Sequence, residues 1–307
     1  MSSATAVLRL LNLRRFRAIY IAMREDATSD SVPREADTDL VDLTSDPYES
    51  LAGARDRLDR LETLLRQRDD RRAVFLSIYT HMTRAVQRSV EREVFADPDW
   101  MRAYTVTFAN YYREAFLAFE QGRLEAVPEP WRIAFDTAVA GDALVVQDAF
   151  LGINAHINYD LALTLRDVGL DPNRRQKRTD HRAINDILAR LVDAQQAALA
   201  EIYAPGIDEV DAILGGFDET VSLFSLTESR KQAWRVGVVL HDFDVRPVEA
   251  YARWLLRTTA TGSALFVLSP TLSPEAMRAF GRVEQGQFEL GDALELLHSR
   301  FEAVDFG

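Results

Sequence analysis

The chain has 307 residues, 47% of them hydrophobic, with a net charge of −12 and a pI of about 5.0, so a sizeable core is affordable. The acidic balance argues against general nucleic-acid binding, which needs clustered positive charge. The absence of cysteine excludes disulfides, thiolate nucleophiles and cysteine-based zinc or iron–sulfur sites.

Lys177 and Lys231 are the only lysines among 36 basic residues. An acidic, lysine-poor surface is the composition of a protein that stays soluble in concentrated salt. No apolar run reaches the roughly 20 residues of a spanning helix, so no membrane span is expected and the expected location is cytoplasmic. Between Ala6 and Met23 the apolar residues are interrupted by Arg9, Arg14, Arg15 and Arg17, unlike the unbroken stretch of a signal peptide. Residues 25–47 are rich in Asp, Glu, Ser and Thr and read as an acidic linker. Residues 1–46 are therefore expected to be a largely disordered extension, and 47–307 a helical domain.

From there helical periodicity dominates. Leu51, Leu58, Leu61 and Leu65 mark an amphipathic helix over 48–69, and a second covers 71–95. Asp97 and Pro98 restart the chain as cap and first-turn residue, and a third helix runs to Glu120. Pro128 and Pro130 precede a fourth, 130–140, and a fifth spans 143–168. Gly169 to Arg178 reads as a loop. Thr179 or Asp180 caps a sixth helix that ends at Tyr203, before Pro205 and Gly206. Helices are expected over 207–214, 218–242, from Pro247 to 259, over 273–283 and over 288–302. There is no strand pattern and no repeat, so the fold class is all-α, a single multi-helix domain.

The fifth helix is apolar nearly all round, yet carries Gln147, Asp148, Asn154, His156, Asn158 and Asp160. At 100° per residue, Gln147, Asn154 and Asn158 share one face, and Gly152, His156 and Asp160 the opposite one. Burying such groups unpaired costs about 1–3 kcal/mol each, so they need partners: each other, water, a ligand or a metal. His156 and Asp160, four residues apart, can address one centre. His81, His181, Asn185, Arg230, Trp234 and His241 also lie on or beside core-facing stripes, whereas His298 reads as a surface or edge residue. Arg230 calls for a carboxylate such as Asp148, Asp160 or Asp180. The adjacent His241 and Asp242 are similar to the His–Asp ligand pairs of helical metal phosphohydrolases. No phosphate loop, GxSxG elbow, HExxH or Rossmann fingerprint is present, and no nucleotide cofactor is expected.

The segments RRAVFLSIYTHMTRAV (71–86), FADPDWM (95–101), FANYYREAF (108–116), VPEPWRIAF (127–135), LGINAHINYDLAL (151–163), RTDHRAINDIL (178–188) and SRKQAW (229–234) together resemble the prokaryotic family called domain of unknown function 5995. The resemblance covers residues 50–242 and extends toward the tail. It implies one helical domain with His81, Asn154, His156, Asp160, Asp180, His181, Asn185, Arg230 and Trp234 as marked positions, and no assigned activity. The helix-borne His-x-x-x-Asp also looks like part of the site in zinc-dependent phospholipase C and related single-strand nucleases, an analogy of class only.

Two principal readings follow. In the first the protein is a metal-dependent hydrolase: His81, His156, Asp160 and His181 hold a divalent zinc, manganese or iron ion. His241 is the alternative fourth ligand, Asp180 orients His181, and Arg230 neutralises a developing anion. Asn154, Asn185, Trp234 and His241 complete the pocket. In the second the protein is non-catalytic, and the same residues form a buried hydrogen-bond network or a pocket for a small-molecule ligand. A metal-free histidine acid–base enzyme is a third reading. Converging donor atoms mark the first reading; scattered histidines with individual partners mark the second. The long apolar helices also leave room for a homodimer interface.

Overall fold

A computed structural model describes residues 36–141, 143–203, 226–243, 245–268, 284 and 290–304. The expected extension over 1–35 and the expected helices at 207–214 and 273–283 lie outside these residues. The described chain is helical without strands. Its elements are α1 (Thr38–Ser45), α2 (Leu51–Gln67), α3 (Ala73–Glu91), α4 (Pro98–Glu120), a 3-10 turn (Leu124–Ala126), α5 (Glu129–Ala140), α6 (Val145–Asn154), a π-helical segment (Ala155–Asp160), α7 (Leu161–Asp167), α8 (Arg174–Tyr203), α9 (Leu226–Asp242), α10 (Arg246–Leu268) and α11 (Leu290–Glu302).

Most helices begin and end for local reasons. Ser50 caps α2 through Gly53 N at 3.1 Å, and Leu51, Ala54, Leu58, Leu61 and Leu65 form its buried stripe. Asp97 caps α4 through Trp100 N at 3.0 Å, with Pro98 in the first turn. Gly141, at φ +71°, ends α5 in the left-handed region that glycine enters without a Cβ clash.

Three elements differ from the sequence reading. Residues 38–45, assigned to a disordered linker, form α1. Little apolar surface holds this helix; Leu40 is buried, and arginines elsewhere in the chain supply the rest. Arg113 donates to Thr44 O at 2.8 Å. Arg57 donates to Leu43 O and Asp46 O, both at 2.7 Å, and Arg68 pairs with Asp37 and Asp39. The second difference is α8, which starts at Arg174 rather than at a Thr179 or Asp180 cap, so Asp180 is a mid-helix residue. Third, α10 continues to Leu268 rather than stopping near 259.

The α6–π–α7 rod lies at the centre and packs on α3, α4, α5, α9 and α10. Its two polar stripes serve different neighbours. Gln147 donates to Val267 O and Asn154 to Ala260 O, each at 2.8 Å, and Asn158 donates to Asn154 Oδ1 at 2.8 Å. One stripe therefore satisfies α10 backbone carbonyls. The opposite stripe meets α3 so closely that a Cβ on Gly152 would lie 2.3 Å from Phe75 Cγ. Gly237 plays the same part between α9 and α7, with Leu165 Cβ at 2.8 Å from the position of a Cβ. Among the described residues, no helix is long and apolar enough to cross a membrane.

Candidate functional site

The rod changes to a π-helix where the chemistry is densest. Leu161 N donates to His156 O, a bond five residues back, and such π-turns concentrate at functional positions. His156 and Asp160 are 2% and 0% exposed. Asp160 Oδ2 lies 2.9 Å from His156 Nδ1 and accepts from Trp131 Nε1 at 2.8 Å. Asp160 Oδ1 and His156 Nε2 are buried without a partner.

Five aromatic rings enclose the imidazole. Phe108 stacks on it at 3.5 Å with an interplanar angle of 9°. Tyr79 meets it edge-on at 4.5 Å, and Phe75, Trp131 and Tyr112 stand at 5.8, 5.8 and 6.4 Å. The hydroxyl of Tyr112 is also buried without a partner. Of these rings Phe108 alone is half-buried; the other four are buried.

Burial drives the His156 imidazole well below its ordinary value of 6.5. It drives the Asp160 carboxyl well above 3.8, against the Trp131 hydrogen bond, which acts the other way. The pair is thus held net neutral. With the acid proton on Oδ2 it is donated to Nδ1, the only arrangement that spares a buried O–H without an acceptor. The ring then presents Nε2–H as a donor, and Asp160 presents Oδ1 as a carbonyl acceptor.

A pH dependence follows. The raised pKa of Asp160 contributes stability that is complete below 3.8 and lost as pH rises toward its folded value. The lowered pKa of His156 contributes stability present above 6.5 and lost as pH falls. Between those values the two cancel, because folded and unfolded dyads each hold one proton. Above pH 6.5 the dyad's contribution should fall as pH rises until Asp160 ionises. Urea unfolding above pH 6.5 should show the wild type losing stability relative to Asp160→Asn. A constant difference between the two would contradict a neutral dyad.

The remaining sequence candidates sit elsewhere. His181 forms a second cluster with Arg230, Asn185 and Trp234. Its Nε2 faces Arg230 O at 3.2 Å and must carry the proton, so Nδ1 accepts from Tyr104 Oη at 3.0 Å and Arg230 Nη2 at 3.3 Å. Both nitrogens of His181 are thus engaged, with a guanidinium alongside. Asp180 makes no hydrogen bond to His181 among the described residues. Its two oxygens accept from Ala96 N and Asp97 N at 2.9 and 2.8 Å, tying α8 to the start of α4. Arg230 has none of the carboxylates expected for it; Asp148 pairs with Arg71 at 2.6 Å instead, and burial raises its carboxyl to about 6.

His81 belongs to a third cluster. Its Nδ1 donates to Ser77 O at 2.8 Å, its ring lies 4.7 Å from that of His298, and His298 Nε2 is 2.9 Å from Glu62 Oε1. Burial lowers the His81 imidazole to about 4. His298, read as a surface or edge residue, is thus packed between helices, its side chain 17% exposed. His241 lies near the surface with Asp171 and Asp242. Among the described residues, those three form the only set of three His, Asp or Glu donors within 4.8 Å of one another. Arg174 already bridges the two carboxylates, at 2.6 Å to Asp171 and 2.5 Å to Asp242, so a guanidinium supplies the cation there.

The four-ligand metal centre is therefore not assembled: His81, His181 and the His156–Asp160 pair occupy three separate places. Among the described residues, His156 and Asp160 offer two bare donor atoms with no third His, Asp or Glu beside them, which does not fit a zinc-type site. Trp131, Phe75 and Tyr79 complete the site although the sequence reading did not single them out. An aromatic residue in an apolar helix has no periodic signature that separates wall from core.

Comparison with the curated proteins finds no match, and comparison with the solved structures finds none either. A family model does match, over residues 51–270, and it spans the dyad, its aromatic walls and the Arg230 cluster: the chain belongs to the family of unknown function DUF5995.

Proposed function

We propose that this domain is a metal-free binding module whose aromatic chamber takes a small neutral molecule on His156 and Asp160. The observation that supports this is the pairing of a bare Nε2 with a bare Oδ1 on a π-turn, inside five rings. Unpaired buried polar atoms and an irregular helix both cost stability. Departures of this kind concentrate where a fold serves a function. A free donor and a free acceptor suit an amide, an alcohol or a protonated acid, and the rings suit an aromatic or aliphatic body. The same neutrality disfavours a charged ligand. Phe108, half-buried and stacked on the imidazole, is the wall whose rotation gives access.

Titration with benzamide against benzoate, followed by NMR of 15N-histidine-labelled protein, tests the reading. Benzamide should shift the His156 resonances saturably, benzoate should not, and Phe108→Ala should speed exchange. Zinc content after incubation and dialysis should be the same in wild type and His156→Ala. Equal responses to the two probes, no response to either, or zinc lost only in His156→Ala would each defeat it.

A further inference from the structure

A second place in the molecule lacks a partner of a different kind. Arg230 is 3% exposed, and its guanidinium is held only by oxygen dipoles and a ring nitrogen. Nη2 donates to His181 O at 2.6 Å and Nε to Asn185 Oδ1 at 2.8 Å. Among the described residues no carboxylate pairs with it. On α8, Asp180 spends both oxygens on the backbone N–H groups of Ala96 and Asp97, just before α4.

The surroundings add positive charge rather than cancel it. Arg178 and Arg182 precede Asn185 by seven and three residues, on the same side of α8. Neither forms an ion pair among the described residues, and the field of Arg178 reaches the His181 ring. Lys177, 6% exposed, is likewise held without a carboxylate among the described residues, by Gly169 O and Asp171 O, each at 3.3 Å, and by the face of the Trp100 ring. In a chain of net charge −12 this is an unusual concentration of unmatched cations. Asn185 is half-buried, so the Arg230 fork lies one side chain away from solvent. With Oδ1 bound to Arg230, the Asn185 amide nitrogen keeps two N–H donors that no described residue accepts.

We propose that Arg230, Asn185 and Arg178 form a receptor for a small oxyanion, a phosphate or carboxylate group, between α8 and α9. Arg230 Nη1, which makes no hydrogen bond among the described residues, offers such a group its N–H donors, and the buried charge gains a counter-ion that the described residues do not provide. This site is separate from the His156 chamber and stands or falls without it.

The probes are inorganic phosphate and acetate, titrated at constant ionic strength in potassium chloride and followed by calorimetry. Wild type should bind at least one of them saturably: phosphate alone assigns a phosphate group, and comparable acetate binding assigns a carboxylate. Arg178→Gln, a change on a half-buried and unpaired side chain, should weaken binding about tenfold. Asn185→Asp should abolish binding and raise Tm, because it supplies the missing carboxylate internally. No saturable binding of either anion would overturn the proposal. So would undiminished binding in Arg178→Gln, or in an Asn185→Asp protein that retains its helical circular dichroism.

Discussion

Trp131→Ala should cost about 3–5 kcal/mol of stability from loss of the buried indole. Trp131 is 0% exposed and packs on Phe75, Tyr112 and Phe135 at 5.1–5.4 Å, the range set by three contacts. It also donates the hydrogen bond to Asp160 Oδ2. The two contributions separate in Trp131→Phe, which keeps most of the ring volume and removes the N–H. That variant should cost about 1–3 kcal/mol, the penalty of an acceptor left short of a donor. Urea unfolding at fixed salt measures both, through the midpoint at unchanged slope. If Trp131→Ala costs no more than Trp131→Phe, the indole is not the packing keystone of the chamber.

Gly152→Ala should be destabilising although alanine is the better helix former by about 1 kcal/mol. The new methyl would sit 2.3, 2.5 and 2.6 Å from Phe75 Cγ, Cβ and Cδ2. The clash reaches the Cβ of Phe75, so rotating that side chain cannot relieve it; α3 and α6 must part. Overpacking of this kind costs about 1–3 kcal/mol and sometimes more, and here it also shifts Phe75 against the His156 ring. Phe75→Ala alone should cost about 3–5 kcal/mol. The double variant Gly152→Ala/Phe75→Ala should cost less than the sum of the singles, because the cavity made by one admits the methyl of the other. Strict additivity would show that the close approach of these two helices is not what selects glycine.

Helical periodicity is a local property, which is why most helices and both polar stripes of the central rod were legible from residue order alone. The division of Gln147, Asn154 and Asn158 from Gly152, His156 and Asp160 needs only the angle per residue, and the two groups do face different neighbours. Helix α1 escaped that logic. Its stability comes from Arg57, Arg68 and Arg113, donors that lie 11 to 69 positions away along the chain. An acidic stretch with one buried leucine looks disordered until those donors arrive.

The candidate site divides the same way. Residue order determined that His81, His156, Asp160, His181 and Arg230 are turned inward, since each lies on an apolar stripe. It could not determine which of them meet, because a stripe fixes a direction about its own helix axis and not the neighbour found there. Tertiary packing placed Tyr104 and the Arg230 carbonyl against the two nitrogens of His181, and sent Asp180 to the backbone just before α4. It left His156 with Asp160 alone among rings. What an inward polar side chain does depends on which second helix supplies its partner, and that choice is made only when the helices pack.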